Sequence, residues 1–466
     1  MREHDLRVMP PALKFRALLG PSFILLGLGL GSGELILWPY LTSNFGMGII
    51  WGAVLGITLQ FFINMEIERY SLVRGESIFV GFARKLKWAP FWFIFSTFVA
   101  FAWPGIVAAS ARLVGVAMGF RETHLIAIAM LILMGLVLTL GPVLYKTMEK
   151  FSTLLICLGV PAIFILTLFL ADGMDWTALL KGIVGVGDLP AQAGGYRFLP
   201  AGIPIASFLA AFAFSGAGGN LNLAQSFYIK EKGYGMGKYS GRITSILTGK
   251  VEDIKLEGAK FEMTQENLAR FRKWWRLINW EHLLVFWATG AFTICLLGLL
   301  AYTTAFGRTT VALGIDFVVF EAAAIGTKTL PIFGVLFLLL GGIMLFSTQM
   351  TVLDATSRIM SENLLILKHK YWAPKALPKI YYSFLWAQII SGVVIFLTNL
   401  REPLLLLTVS AVINAGAMFI HIGATTLLNL KVLEAAVRPS FFRVMVMLFA
   451  FAFFGYFSLR TIISLI

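Results

Sequence analysis

Residues 27–34 read GLGLGSGE, and residues 215–222 read SGAGGNLN. Each glycine cluster lies inside a long apolar segment and is followed by polar side chains, Glu34 in the first and Asn220 and Asn222 in the second. A helix that crosses a membrane must satisfy its backbone hydrogen bonds internally, so glycine clusters inside it need an explanation. Paired interruptions at corresponding positions indicate two inverted repeats, each of which opens with a broken helix.

The composition identifies lipid as the main solvent of the chain. Of its 466 residues, 58% are hydrophobic and only 13% are charged. The mean hydropathy is +0.84. A soluble domain carries about a quarter charged residues, which this chain lacks. Apolar segments long enough to span a bilayer recur from residue 17 to residue 466. We therefore predict an all-α integral membrane protein, with residues 1–466 forming one polytopic domain.

Hydrophobicity predicts eleven transmembrane helices, arranged as a 5+5 inverted repeat plus one further helix. The amino terminus is 1–16, the first five-helix repeat is 17–171, the second is 202–430 with a cytoplasmic insertion at 230–280, and the eleventh span is 440–464. The predicted spans are roughly 17–43, 47–68, 89–118, 123–144, 149–171, 202–229, 281–304, 331–364, 379–399, 402–430 and 440–464.

Basic residues alternate between loops and orient these spans. The formal net charge of +14 comes from lysines and arginines in the amino terminus and in alternate loops. This is the positive-inside pattern, and it argues against nucleic acid as a partner. We expect the amino terminus in the cytoplasm, the carboxyl terminus outside, and the protein in the cell (inner) membrane as a monomer.

Two segments outside the spans have a predicted place at the membrane surface. Residues 306–329 have the pattern of an interfacial helix. The stretch Arg270–Arg276 carries Trp274 and Trp275 among basic residues, and we expect it along the inner headgroups.

Glu34 is the sharpest functional candidate. A carboxylate near the middle of a bilayer requires water or a partner, and such groups are commonly functional. It could bind a cation or carry a proton. Alternatively, it could stabilise the start of the second half-helix, paired with Arg112 or Arg358.

Backbone and amide oxygens at the two clusters are the other candidate ligands. Unwinding would expose carbonyl groups near Gly31, Ser32 and Ala217. Asn220 and Asn222 could offer amide oxygens, or could instead cap the second part of the sixth span. Close helix packing through small residues is the alternative explanation for both clusters.

Other polar residues in the spans are weaker candidates for the pathway or its gates. Asp354 and Arg358 are four residues apart, so they share a helix face and can pair. Single polar side chains within a span also suit interhelical hydrogen bonds. The remaining candidates are Gln349, Thr408 and Asn414. No spacing indicates a structural metal site, a phosphate loop or a nucleophile elbow, so we expect no cofactor and no enzyme activity.

Over most of its length, the chain resembles the Nramp family of divalent-metal transporters. The resemblance rests on Gly20-Pro21 before the first glycine cluster, on Gln60-Phe61 and on the corner Arg74-Gly75-Glu76-Ser77. The span order, the break in the sixth span and the connection from Leu427 to Pro439 also fit. The resemblance implies ten core helices plus an eleventh and alternating-access transport.

The metal-site motifs of that family are altered in this chain. The Asp-Pro-Gly-Asn motif of the family becomes residues 31–34, where glycine replaces the aspartate and Glu34 replaces the asparagine. The Ala-x-x-Met motif becomes residues 217–220, where Asn220 replaces the methionine. Oxygen ligands suit Mg²⁺, Ca²⁺ or Mn²⁺, whereas a thioether selects softer metals. The family's usual aspartate and histidine for proton coupling are also missing.

We therefore expect a secondary transporter of a hard divalent cation such as Mg²⁺ or Mn²⁺, without the family's usual proton coupling. A transporter of an amine or amino acid is the alternative, because small residues leave room at both clusters and Glu34 could hold an ammonium group.

Overall fold

The computed structural model describes residues 5–140, 144–187, 195–240, 256–307, 314–368, 371–398 and 400–465. Within these ranges, ten helices are long and apolar enough to cross a membrane. They are Pro21–Phe45, Met47–Arg74, Ala89–Met118, Thr123–Leu140, Ser152–Leu170, Gln265–Ala305, Pro331–Leu367, Pro374–Leu397, Pro403–Val432 and Phe441–Ile463. The predicted sixth span is missing from this set because it consists of two short helices. The protein is thus an all-α, multi-pass membrane protein.

The helices of the first half follow the predicted order. They are α1 (Phe15–Leu18), α2 (Pro21–Gly29), α3 (Trp38–Phe45), α4 (Trp51–Arg74), α5 (Ile78–Lys85), α6 (Ala89–Phe101), α7 (Gly105–Met118), α8 (Thr123–Leu140), α9 (Leu144–Leu170) and α10 (Gly173–Ile183). The third span bends between α6 and α7, next to Pro104. Proline cannot continue the helical hydrogen-bond pattern at this point.

The second half contains the broken span and the longest helices. Its helices are α11 (Ile205–Ala213), α12 (Leu221–Lys232), α13 (Gln265–His282), α14 (Thr289–Ala305), α15 (Asp316–Lys328), α16 (Pro331–Leu367), α17 (Leu377–Leu397), α18 (Pro403–Val432) and α19 (Phe441–Leu465). Four short strands pair outside the spans: β1 (Asp5–Arg7) with β4 (Ala259–Phe261) in parallel, and β2 (Val186–Gly187) with β3 (Tyr196–Arg197) antiparallel.

The first span is continuous, which corrects the prediction of a break there. Between α2 and α3, residues Leu30–Leu37 form a π-helix instead of an unwound segment. The hydroxyl of Thr348, on α16, donates to the Gly27 carbonyl (2.9 Å) and accepts from the Gly31 amide (3.1 Å). In an α-helix these two backbone groups would bond to each other. A side chain inserted into the ladder widens the helix without breaking it.

The sixth span is broken as predicted. Helix α11 ends at Ala213, and α12 begins at Leu221. Gly218 and Gly219 have φ angles of +75° and +57°. Residues other than glycine rarely adopt this left-handed backbone conformation, so the two glycines allow the chain to leave one helix and start the next. The break therefore has a direct cause in the sequence.

The two glycine clusters pack against each other. A Cβ atom on Gly29 would overlap the backbone of Gly216, and one on Gly33 would overlap the carbonyl of Phe214. Trp38, later in the first span, donates from Nε1 to Ser215 Oγ at 2.9 Å. The glycines of the first span thus serve close helix approach, the alternative considered above. The two clusters therefore lie in direct contact.

The last part of the predicted insertion forms one helix with the seventh span. Helix α13 continues through a π-helical segment, Leu283–Ala288, into α14, so that Gln265–Ala305 forms one helix of 41 residues. The basic stretch Arg270–Arg276 therefore lies on the same helix as the predicted seventh span, and its place along the inner headgroups stays a prediction. The predicted helix at 306–329 is present as α15, while residues 308–313 lie outside the described part of the chain.

Candidate functional site

Gln60, on α4, holds the two sides of the break in the sixth span. Its Nε2 donates to the Ala213 carbonyl at 2.9 Å, and its Oε1 accepts from the Gly218 amide at 3.1 Å. These backbone groups have no helical partner because α11 has ended and α12 has not begun. Sequence reasoning used Gln60 for a family resemblance alone. The spacing of Gln60, Asn64 and Glu68, four residues apart on an apolar helix, was the available signal.

Asn220 occupies the N-cap position of α12 without capping the helix with its side chain. Its side chain makes no hydrogen bond to the helix amides. Instead, Nδ2 donates to Ser96 Oγ (2.8 Å) and Thr97 Oγ1 (2.9 Å), both on α6. The amide oxygen Oδ1 is fully buried and has no hydrogen-bond partner. The capping interpretation of Asn220 is therefore wrong.

Asn222 and Asn414, like Asn220, donate a hydrogen bond from the side-chain nitrogen while the side-chain oxygen has no partner among the described residues. Asn222 donates from Nδ2 to Gln60 Oε1 (3.1 Å) and Asn64 Oδ1 (2.7 Å). Asn414, on α18, lies against Gly219 and donates to the Ser410 carbonyl at 3.0 Å. The Oδ1 atoms of both asparagines are buried without a partner. Three unpaired amide oxygens thus surround the break, and oxygen atoms of this kind are ligands for hard cations.

His421 binds the break from the same helix as Asn414. Its Nε2 lies 3.0 Å from the Gly219 carbonyl oxygen, while its Nδ1 is buried without a partner. Because a carbonyl oxygen can only accept, the Nε2 atom carries the proton of this hydrogen bond. The lone histidine of the tenth span is thus part of the break's hydrogen bonding.

Glu34 is buried within the π-helix and has no described partner. It is 0% exposed, and both carboxylate oxygens lack a hydrogen bond. The predicted pairing with Arg112 or Arg358 is wrong. Arg112 binds Asp316 (Nε to Oδ1, 3.0 Å), and Arg358 binds Asp354. A buried carboxylate without a partner is strongly unfavourable when charged, so it needs a proton or a cation.

Glu34 and Asn220 face different helices in this conformation. Glu34 Oε1 lies beside Gly290 of α14, 3.5 Å from the position a Cβ would take there. Asn220 instead contacts α6. The other candidates of the two clusters, Gly31, Ser32 and Ala217, are also buried, and Gly31 faces Thr348 of α16. The structure thus brings the clusters together without placing Glu34 and Asn220 in contact.

The predicted pair on α16 is confirmed and belongs to a larger network. Arg358 Nε binds Asp354 (2.9 and 3.0 Å), and its Nη1 atom binds Glu231 of α12. Tyr381 donates to Asp354 at 2.8 Å. One turn further along α16, Glu362 binds Lys230 of α12 at 3.3 Å. Two ion pairs therefore join the second half of the sixth span to the eighth span.

The remaining pathway candidates differ in burial. Gln349 is buried on α16, and Thr408 is half-buried on α18. Among the described residues, no group of three or more His, Cys, Asp or Glu is arranged to hold a metal ion. Among these residues, an ion at the break would meet amide and carbonyl oxygens, and Glu34, on the first span, is the single carboxylate of the two glycine clusters.

No known protein-family model matches the chain, and no curated protein sequence matches it. Solved structures do. Two mutants of the Eremococcus coleocola manganese transporter align with TM-scores of 0.71 and 0.70, each at 14% identity over 99% of this chain and 90% of theirs. MhsT in complex with L-phenylalanine aligns at a TM-score of 0.50 and 13% identity, over 100% of both chains. At these identities the likeness shows a shared fold, so the chain has the membrane fold of these transporters.

Proposed function

We propose that the protein is a secondary transporter that moves a divalent cation toward the cytoplasm by alternating access. The observation that carries the proposal is the set of buried, unpaired oxygens at the broken sixth span, on Asn220, Asn222 and Asn414. Buried polar atoms in proteins normally have partners, so three unpaired acceptors at one break favour a ligand that supplies positive charge. The fold shared with a manganese transporter supports this proposal.

The ligand atoms favour a hard ion such as Mg²⁺ or Mn²⁺. Glu34 is the proposed charged ligand, Asn220 and Asn222 are neutral ligands, and carbonyls near Gly31 and Ala217 complete the set. Oxygen atoms bind such ions, and a site without sulfur gives little preference for softer transition metals. Because Glu34 and Asn220 contact different helices here, binding by both requires the first span to move relative to the sixth.

The ion pairs between α12 and α16 are the proposed inner gate. Arg358 with Glu231, and Lys230 with Glu362, hold the half-helix that follows the break. Opening toward the cytoplasm would separate these pairs and expose them to water. The proposal places the amino terminus in the cytoplasm and the protein, as a monomer, in the cell membrane.

The test is Mn²⁺ uptake into proteoliposomes, with Glu34→Gln compared against wild type. The substitution keeps the shape of the side chain and removes its charge. Glu122→Gln is the matched control because its side chain is 70% exposed outside the break. We expect uptake to be lost in Glu34→Gln and kept in Glu122→Gln. Equal uptake by all three proteins would refute the assigned role.

A transporter of an organic amine or amino acid is the second candidate. The observation that favours it is Glu34, the single carboxylate of the two glycine clusters, which suits one ammonium group. MhsT, solved with L-phenylalanine, shares the fold. Thermal stabilisation by Mn²⁺ and Mg²⁺, compared with stabilisation by amines and amino acids, separates the two. Stabilisation by an amine that is lost in Glu34→Gln, with no response to metals, would favour the organic solute.

A further inference from the structure

A second cluster of buried polar groups lies where four helices meet, away from the break. Ser22 of α2 donates from Oγ to Glu281 Oε2 at 2.5 Å and lies 2.7 Å from His282 Nδ1. Glu68 of α4 lies 3.6 Å from the same ring nitrogen, Oε1 to Nδ1. Gln225 of α12 donates to Glu68 Oε1 at 2.5 Å. All five side chains are at most 1% exposed.

Each ionisable member of this cluster has an unused atom. Glu68 Oε2, Glu281 Oε1 and His282 Nε2 are buried without a hydrogen-bond partner, as is Gln225 Oε1. The His282 ring is stacked between Phe61 (5.6 Å) and Phe286 (4.6 Å). An imidazole fixed in this way presents its second nitrogen as an open position.

The nearby cations are engaged by other acids. Lys232 of α12 and Arg443 of α19 are the positively charged groups that act on Glu281 and Glu68, respectively. Lys232 binds Glu149 and the Leu19 carbonyl, and Arg443 binds Glu66 and Asn279. Arg69 is likewise bound to Glu66. Among the described residues, the nearby cations are thus bound to other acids, so the two buried carboxylates need a proton or another positive charge.

We propose that Ser22, Glu68, Glu281 and His282 form a proton-binding site, distinct from the break in the sixth span. A metal is not the favoured ligand because the described residues hold no cluster arranged for one. This inference rests on the proposed transport function only for its role in the cycle. The binding of the proton itself does not depend on transport.

The hydrogen bonds define how the proton is taken up. Serine has one hydroxyl proton, and it goes to Glu281, so His282 donates from Nδ1 to Ser22 and leaves Nε2 bare. A proton that arrives at Nε2 allows the Nδ1 proton to pass to Ser22, while the Ser22 proton passes to Glu281. The result is a neutral Glu281, an unchanged hydroxyl and a neutral His282 protonated at Nε2. One proton has been bound and none has been lost.

The cluster is connected to the break along two routes. Gln60, Asn64 and Glu68 form one polar stripe on α4, which faces Asn222 and Gln225 on α12. The stripe extends about 12 Å along the helix, at about 1.5 Å per residue. The Phe286 ring stacks on His282, and its edge lies against Gly216 in the break. A change of charge at the cluster can therefore act on the packing at the break.

Infrared difference spectroscopy of the protein in lipid, recorded between acid and alkaline pH, tests the site without any transported solute. Glu281→Gln should lose the carbonyl band of one protonated carboxylic acid. Glu266→Gln is the matched control, since Glu266 lies on the same helix and is 73% exposed. That control should keep the buried band. His282→Gln should lose the buried band as well, because the relay begins at its ring.

A spectrum of Glu281→Gln with the buried band intact overturns the proposal. If Glu281→Gln does not fold, as judged by size-exclusion chromatography and circular dichroism, then Glu68→Gln and His282→Gln decide by the same criterion. Cation-driven proton movement in liposomes, followed with a pH-sensitive dye, then tests the coupling. If Glu281→Gln loses the band but transports normally, the cluster binds a proton in the wild type but that proton has no role in the transport cycle. Loss of transport by Glu34→Gln with the buried band present would separate the two sites.

Discussion

Replacing Gln60 by methionine tests whether this side chain holds the broken sixth span together. Methionine fills a similar volume but has no amide group. The substitution removes the hydrogen bonds of Gln60 to the Ala213 carbonyl, the Gly218 amide and Asn222. The first two partners are backbone groups at the break. Gln60, which binds them, is fully buried.

The expected loss of stability follows from those two groups. A buried polar group left without a partner costs about 1–3 kcal/mol, so two groups give about 2–6 kcal/mol. A hydrogen bond between membrane helices contributes less on average, about 0.6 kcal/mol, because the unfolded protein in the membrane also finds partners for these groups. We therefore expect Gln60→Met to destabilise the protein by about 2 kcal/mol or more.

The assay is reversible unfolding in mixed detergent micelles, with the free energy of unfolding compared between variants. Gln265→Met is the matched control, because Gln265 is exposed at the start of α13. An exposed substitution of this kind changes stability by at most about 0.5 kcal/mol. If Gln60→Met unfolds at the same detergent fraction as Gln265→Met, the bracing role of Gln60 is refuted.

Three further substitutions test other contacts in the same assay. Thr348→Val removes the hydroxyl inserted in the first span, and we expect about 1–3 kcal/mol of destabilisation from two lost hydrogen bonds; no change would mean that the π-helix does not need it. Arg358→Met leaves buried carboxylates unpaired and should cost about 3–5 kcal/mol, whereas Arg270→Met, in a surface pair, should cost at most about 1 kcal/mol. Gly33→Ala should destabilise by about 1–3 kcal/mol through overlap with Phe214; Gly173→Ala, with open space around it, is the control, and equal stabilities would argue against close packing.

The break in the sixth span could be predicted because its causes are local. Gly218 and Gly219 adopt left-handed conformations, and the polar residues that follow them are visible in the chain. The first span looked similar but remained helical. Its ladder is completed by Thr348, which is 317 residues from Gly31 in sequence. A pattern within one segment cannot show a hydrogen bond supplied by another.

The same limit applies to the candidate sites. Glu34 was recognised from its position in an apolar segment, but its neighbour Gly290 comes from the other half of the chain. Glu68 and Glu281 each look like an ordinary acid near the end of a span, and their proximity arises only when four helices meet. The pair of Asp354 and Arg358 was predictable because four residues on one helix fix the distance.

The unbroken helix from Gln265 to Ala305 has a mechanical consequence. At about 1.5 Å per residue it extends about 60 Å, roughly twice the thickness of the hydrocarbon core. The first part of this helix is hydrogen-bonded to the amino-terminal segment. Asn267 accepts from the Met9 amide at 3.1 Å, and Trp274 donates to the Pro10 carbonyl at 2.9 Å. We expect a small tilt of the seventh span within the bilayer to displace the amino-terminal segment, because hydrogen bonds join the two. A partner that binds the amino-terminal strand would therefore act on the helix that contacts Glu34.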